Sequence, residues 1–205
     1  MSESSIGERK RALRSAALSQ RNSLAREDFF ALGSLAQARA LEFTPYVIDR
    51  AVTLYSPIQN EVPTEGIRDH ALKSGKKVFY PKLDGAKSVE LAEIHSAADL
   101  GSGCFGISEP VGRPSLWTSN QGEMVVFLPG LVFDLFGNRL GRGIGWYDQL
   151  LKKIGRKAIF VALAYEFQIA AEVPTEPWDE KVDYVITEKR VVDCGTTPSR
   201  ATAVS

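Results

Sequence analysis

Cysteine is nearly absent. Cys104 and Cys194 are the only two in 205 residues. Two distant cysteines give no disulfide framework and no metal-ligand spacing, so a stapled domain and a zinc module are both excluded. Histidine is equally scarce. His70 and His95 stand beside no Ser or Cys nucleophile signature, and no catalytic triad follows. Net charge is lacking too: 25 Lys and Arg balance 25 Asp and Glu. A nucleic-acid binder usually carries a basic excess, so any cationic site here must be a local cluster. No apolar run approaches the ~20 residues that span a bilayer. The opening "MSESSIGERKRALRSAAL" lacks the apolar segment of a signal peptide. The expectation is a cytoplasmic protein with no membrane or nucleic-acid partner.

What remains is an ordinary globular mixture, 44% apolar and 24% charged. Its length suits one domain, expected over residues 1–192, with a polar, mobile tail over 193–205. Residues 5–20 read as a helix. Residues 25–42 read as a second, with Phe29, Leu32, Leu35 and Ala36 on one stripe, and Pro45 closes the region. "AVTLYS" (51–56), "KKVFYP" (76–81), "SVELAEI" (88–94), "MVVFLPG" (124–130), "KAIFVALAY" (157–165) and "VDYVITEKRVV" (182–192) read as strands. Residues 62–75 and 144–154 read as helices, the first opening at Pro63. Residues 96–122, rich in Gly, Ser and Pro, read as loop. Strands apolar throughout and alternating with helices predict an α/β sandwich with a mainly parallel central sheet. Ligands of such sheets sit beyond the carboxyl ends of strands.

One stretch has the composition of a site. "RLGRGIGWYDQLL" (139–151) follows a strand and a turn and precedes a helix. Gly141, Gly143 and Gly145 allow positive φ and close approach of backbone to a ligand. The N–H groups of the helix start favour an anion. Arg139 and Arg142 add forked donors suited to phosphate oxygens. No Gly-Lys-Ser/Thr follows, so this is not a Walker loop. By spacing alone, a glycine-rich turn with surface arginines remains open beside the phosphate reading. Asp148 either caps the helix or holds Mg2+ against phosphates. Asp183 reads as a surface residue. Lys10 and Arg14, four apart in "KRALR", share a helix face with Arg21 and read as a solvated face unless that face meets the glycine loop. Glu61 lies in a crossover at the sheet's carboxyl edge, where it orients a ligand or decorates a helix start. Trp117, Trp146 and Trp178 read as packing residues, except that Trp146 follows the glycines and suits a wall for a flat ligand.

Together, "KRALR", "NEVPT", "KKVFYPKL", "FGISEP" (105–110), "FLPGLVFDLFGNRLGRGIGWYD" and "VDYVITEKRVV" resemble the 5-formyltetrahydrofolate cyclo-ligase family over nearly the whole chain. There are departures: Trp146–Tyr147 stands for two tyrosines, Pro63 stands for an aspartate after the crossover glutamate, and Ile144 occupies a variable position. The resemblance implies a three-layer α/β/α fold and ATP- and Mg2+-dependent closure of 5-formyltetrahydrofolate to 5,10-methenyltetrahydrofolate, with release of ADP and phosphate. It implies ATP binding by Lys10, Arg14 and the loop Arg139, Leu140, Gly141, Arg142, Gly143, Ile144, Gly145, Trp146 and Tyr147. Arg142 is expected near the transferred phosphoryl group. Ser56, Glu61 and Arg142 to Trp146 are expected on the folate, with Asp148 and Asp183 on Mg2+. Loss of the aspartate at Pro63 implies altered folate affinity. The expected partners are these two small molecules, and the chain is expected to act as a monomer. A catalytically silent folate- or nucleotide-binding relative and an RNA-interaction protein using "ERKRALR" are the alternatives. Zero net charge counts against the second.

Overall fold

The computed structural model describes residues 5–84, 88–103, 106–112, 115–118 and 123–195. The chain opens with α1 (Ile6–Asn22), whose start is closed by a capping box between Ser5 and Glu8. Then come α2 (Arg26–Glu42), α3 (Thr44–Ile48), β1 (Ala51–Thr53) and α4 (Glu65–Lys73). A long hairpin, β2 (Lys77–Asp84) and β3 (Ser88–Ile94), precedes the short pair β4 (Leu100–Ser102) and β5 (Ser108–Pro110). The second half runs β6 (Met124–Leu128), β7 (Val132–Phe133), β8 (Arg139–Leu140), α5 (Trp146–Ile154), β9 (Ala158–Leu163), β10 (Tyr184–Ile186) and β11 (Val191–Asp193).

Seven strands form one sheet in the order β11-β10-β9-β6-β1-β2-β3. The pairings from β10 through β2 are parallel, and β3 and β11 add antiparallel edges. Alternate residues feed opposite layers. Val125, Phe127 and Val161 pack with Ala36, Ala40, Tyr46 and Ile67 of α2, α3 and α4. Met124, Val126, Leu128 and Phe160 pack with Leu150, Leu151 and Ile154 of α5. The strands are covered on both faces, which is why they read as unbroken apolar runs. Burying a side chain such as Phe127 contributes about 1.5–3 kcal/mol. The result is the expected three-layer α/β/α sandwich.

Several expectations change in detail. The buried stripe of α2 runs through Gly33, Ala36 and Ala40, flanked by Phe29 and Leu32, while Leu35 is 54% exposed. Small residues let α2 approach the neighbouring chain: a Cβ on Gly33 would lie 2.7 Å from the Pro63 ring. Pro45 opens α3 rather than ending the region, as proline's fixed φ permits in a first turn. Pro63 precedes α4, which starts after Thr64. The 96–122 stretch, read as loop, contains β4 and β5, a pairing too short to leave a periodic signal. Residues 196–205, most of the expected tail, lie outside the described residues.

Candidate active site

In an open parallel sheet the natural crevice lies where the strand order reverses. Here that point is between β1 and β6. The chain leaves β1 for β2 on one side, and β6 lies on the other. A cavity of about 700 Å³ opens there, walled by Ser56 to Glu61 after β1 and by Pro129–Gly130 after β6.

The third wall is the glycine loop, and its placement begins upstream. β7 and β8 form a hairpin whose turn is organised by Asp134. One carboxylate oxygen accepts the N–H groups of Phe136 and Asn138 at 2.9 and 3.0 Å. The other accepts from the Asn138 side chain and the Val173 N–H. Four bonds on a fully buried carboxylate fix the direction in which β8 exits. Beyond Leu140, Gly143 and Gly145 adopt φ of 96° and 80°, in the left-handed region open to glycine. A Cβ on Gly143 would come 3.3 Å from the Arg14 guanidinium. Gly145 then caps α5.

The fourth wall is α1. It packs on the hairpin rather than on the main sheet, through Leu13, Ala17 and Leu18 against Leu131, Val132, Leu140 and Val173. Its cationic face looks inward. Lys10 is 5% exposed and donates to Glu176 at 2.8 Å and Asp179 at 2.6 Å. Burial pulls the Lys10 pKa down, but the bonds to Asp179 and Glu176 outweigh it and leave the ammonium above its ordinary value. Arg14 Nε donates to the Gly141 carbonyl at 2.9 Å, tying helix to loop. Arg21 is 1% exposed and reaches Gln59, Gly130 and Glu61. The condition set on the solvated-face reading is met: Arg14 touches the glycine loop, while Lys10 and Arg21 are buried on neighbouring segments.

Arg142 crosses the cavity mouth and donates to Gln59 Oε1 and, at 3.3 Å, to Glu61 Oε1. Glu61 is 6% exposed. Burial holds its pKa above the ordinary carboxylate value, and Arg21, the Ile58 N–H and Arg142 offset only part of that. Arg139 pairs with Asp148 at 2.9 Å and lies over the Tyr147 ring. Burial raises the pKa of the Tyr55 and Tyr147 hydroxyls, so both stay neutral near pH 7. Ser56 donates to the Ser108 carbonyl of β5.

Thus Lys10, Arg14, Ser56, Glu61 and the whole run Arg139 to Asp148 line one cavity. Asp183 does not. It is 1% exposed just before β10, and its carboxylate accepts the Phe160 N–H of β9 at 2.8 Å. Asp148 also has partners, the Arg139 guanidinium and the Glu180 N–H at 3.3 Å. Asp148 lines the cavity and Asp183 does not, and the described residues hold no cluster of three or more metal-ligating side chains. Pro63 is absent from the lining too. Its ring packs on Gly33.

The sequence reading missed several contributors. Arg21 was noted only as a member of a helix face. Gln59 and Asn60 have φ of 48° and 57°, rare for residues other than glycine, and "QN" before the crossover glutamate was the available signal. Glu176, Asp179 and Trp178 left no signal apart from lying in a loop. Trp178 lines the cavity while 58% exposed, so it is not a packing residue.

Comparison with known proteins gives the family. The sequence profile of the 5-formyltetrahydrofolate cyclo-ligase family matches residues 6–188. A mouse 5-formyltetrahydrofolate cyclo-ligase is 31% identical over 200 residues, covering 92% of this chain and 98% of its own. The Escherichia coli K12 protein of the same name is 28% identical over 177 residues, covering 84% and 96%. The solved structure of Aquifex aeolicus 5,10-methenyltetrahydrofolate synthetase superposes with a TM-score of 0.81 at 35% identity, covering 93% of this chain and 95% of that one. With the family profile matched over residues 6–188, a relative 31% identical over 92% of the chain and a shared fold, this chain belongs to the 5-formyltetrahydrofolate cyclo-ligase family.

Proposed function

We propose that the protein closes 5-formyltetrahydrofolate to 5,10-methenyltetrahydrofolate at the expense of ATP, releasing ADP and phosphate. The observation that carries the reading is convergence: Lys10 and Arg14 from α1, Arg139 and Arg142 from the glycine loop, and Glu61 from the crossover all line one cavity at the switch point of the sheet.

The chemistry asks for these groups. The oxygen of a formamide is a poor leaving group. It attacks the γ-phosphorus of ATP, an O–P bond forms, and ADP departs with the electrons of the broken P–O bond. The 10-nitrogen of the folate then attacks the activated formyl carbon. It loses its proton, and phosphate leaves. Attack within one molecule reaches effective molarities of ~10⁵–10⁸ M when well oriented, so the protein chiefly positions and neutralises. Neither step requires a nucleophilic side chain.

Lys10, Arg14, Arg139 and the N–H groups from Gly141 to Tyr147 bind the triphosphate. Cationic and N–H donors stabilise charge that shifts between oxygens during phosphoryl transfer. Arg142, with a side chain one-third exposed, reaches the transferred group by rotating away from Gln59. Ser56, Glu61 and Trp146 hold the pterin end, Trp146 as a flat wall. Magnesium accompanies ATP through phosphate oxygens and water. Of the two aspartates expected on it, Asp148 alone lines the cavity.

The test is near-ultraviolet absorbance of the methenyl product. ATP-dependent product formation is expected. Binding of both substrates without turnover would leave a catalytically silent relative instead.

A further inference from the structure

Arg21 has no role in the binding of either substrate as assigned above, yet it is the most enclosed cation of the site. Its side chain is 1% exposed, and each part of the guanidinium is used. Nε donates to the Gln59 carbonyl and Nη1 to the Gly130 carbonyl, both at 2.9 Å, and Nη2 lies 3.4 Å from Glu61 Oε1. Its own carbonyl accepts from the Asn60 side chain at 3.2 Å. Gln59 follows β1 and Gly130 follows β6, so one side chain spans the crevice floor between the two strand ends. A cation held that way has no freedom to leave.

Arg142 is different. It shares the same Glu61 oxygen at 3.3 Å, but it sits on the glycine loop with a third of its side chain in solvent. If Arg142 turns to a phosphate, Glu61 loses one of two counter-ions inside a 6%-exposed environment. A buried carboxylate stripped of charge partners takes up a proton. The pyrimidine edge of a pterin presents N–H donors, which an ionised carboxylate accepts and a protonated one does not accept equally well.

We propose that Arg21 is a positioning residue for the cyclisation: it is the resident counter-ion that keeps Glu61 ionised and aimed at the pterin while Arg142 serves the phosphates. The inference rests on the folate reading of Glu61. The remaining charged or titratable groups around Glu61 are Arg142 on the glycine loop, Tyr55 after β1 and Tyr147 on α5, and the Ile58 N–H donates to Oε2 at 3.1 Å. Both tyrosines are held neutral by burial, so Arg21 and Arg142 are the cations that stabilise the carboxylate.

The experiment compares wild type, Arg21→Met and Arg21→Lys. It measures equilibrium binding of 5-formyltetrahydrofolate without ATP across a pH series, and KM for each substrate. Arg21→Met should weaken folate binding about tenfold or more near neutrality, the scale of one charge-assisted bond. The loss should shrink as pH rises and Glu61 ionises again, and KM for ATP should stay near the wild-type value. Arg21→Lys, a point charge without the fork, should fall between the two with its acid limb displaced toward higher pH. This variant carries the test if Arg21→Met does not fold. Equal losses for ATP and folate, a loss independent of pH, or an undisplaced limb in Arg21→Lys would overturn the proposal and leave Arg21 a docking contact for α1. Absence of folate binding by the wild type would instead defeat the assignment of the substrate.

Discussion

Arg142 and Glu61 lie 81 positions apart in the chain and 3.3 Å apart in space. Contact of that kind makes single-residue predictions sharp. Arg142→Ala removes charge-assisted bonds of about 1.5–3 kcal/mol each. Turnover at limiting ATP should fall at least tenfold, with the thermal midpoint nearly unchanged because a third of the side chain is in solvent. Full turnover in a folded Arg142→Ala protein would contradict the loop assignment. Asp183→Ala should behave in the opposite way. It leaves the buried Phe160 N–H without its 2.8 Å acceptor, so stability should fall by about 1–3 kcal/mol in urea while the magnesium dependence of the reaction stays as it was. The glycine-arginine run stood out in the sequence, but by spacing alone it left a surface turn open, and the residue roles came from the family resemblance. The pairings of these residues were not legible. Lys10, Arg14 and Arg21 announce a common helix face, but only the fold says that this face is turned inward, and nothing local distinguishes a fully enclosed arginine from a solvated one.

Helices and strands divide by how they are held. The central strands β6 and β9 are apolar on both faces, whereas α1 packs through Leu13, Ala17 and Leu18 on a small cluster and through Lys10, Arg14 and Arg21 on polar atoms. Polar anchoring over little apolar area places α1 at the low end of local stability. Hydrogen exchange should show α1 amides exchanging well before those of β6 and β9, and an ATP analogue should slow α1 selectively. Equal protection of α1 and the central strands would argue against this division. The α2 layer makes a separate prediction. Gly33→Ala places a Cβ 2.7 Å from the Pro63 ring, and a rigid ring at the mouth of α4 has little room to move. A loss of about 1–3 kcal/mol is expected by urea unfolding, the cost of overpacking. The same elements explain what pattern reading reached. Long periodic or fully apolar segments were found because burial writes itself into their composition. The β4–β5 and β7–β8 pairs were missed, since two or three residues carry no period and their stability comes from side chains such as Asp134, which bonds across the turn.

On the proposed reading, the whole molecule turns an α/β/α sandwich into a meeting place for two substrates. The sheet supplies a switch point between β1 and β6, the crossover brings a carboxylate to one side, and the glycine loop and α1 bring cations to the other. Zero net charge is consistent with this division, because the cations are concentrated by folding rather than by composition. The account therefore depends on one cavity holding both the phosphates and the folate. The most direct measurement is a crystal structure with a non-hydrolysable ATP analogue and 5-formyltetrahydrofolate bound together. The account predicts the triphosphate between Lys10, Arg14 and the Arg139 to Tyr147 loop, the pterin against Glu61, and the formyl oxygen facing the γ-phosphorus. Phosphates bound away from α1 and the glycine loop, or a folate that does not share their cavity, would contradict it.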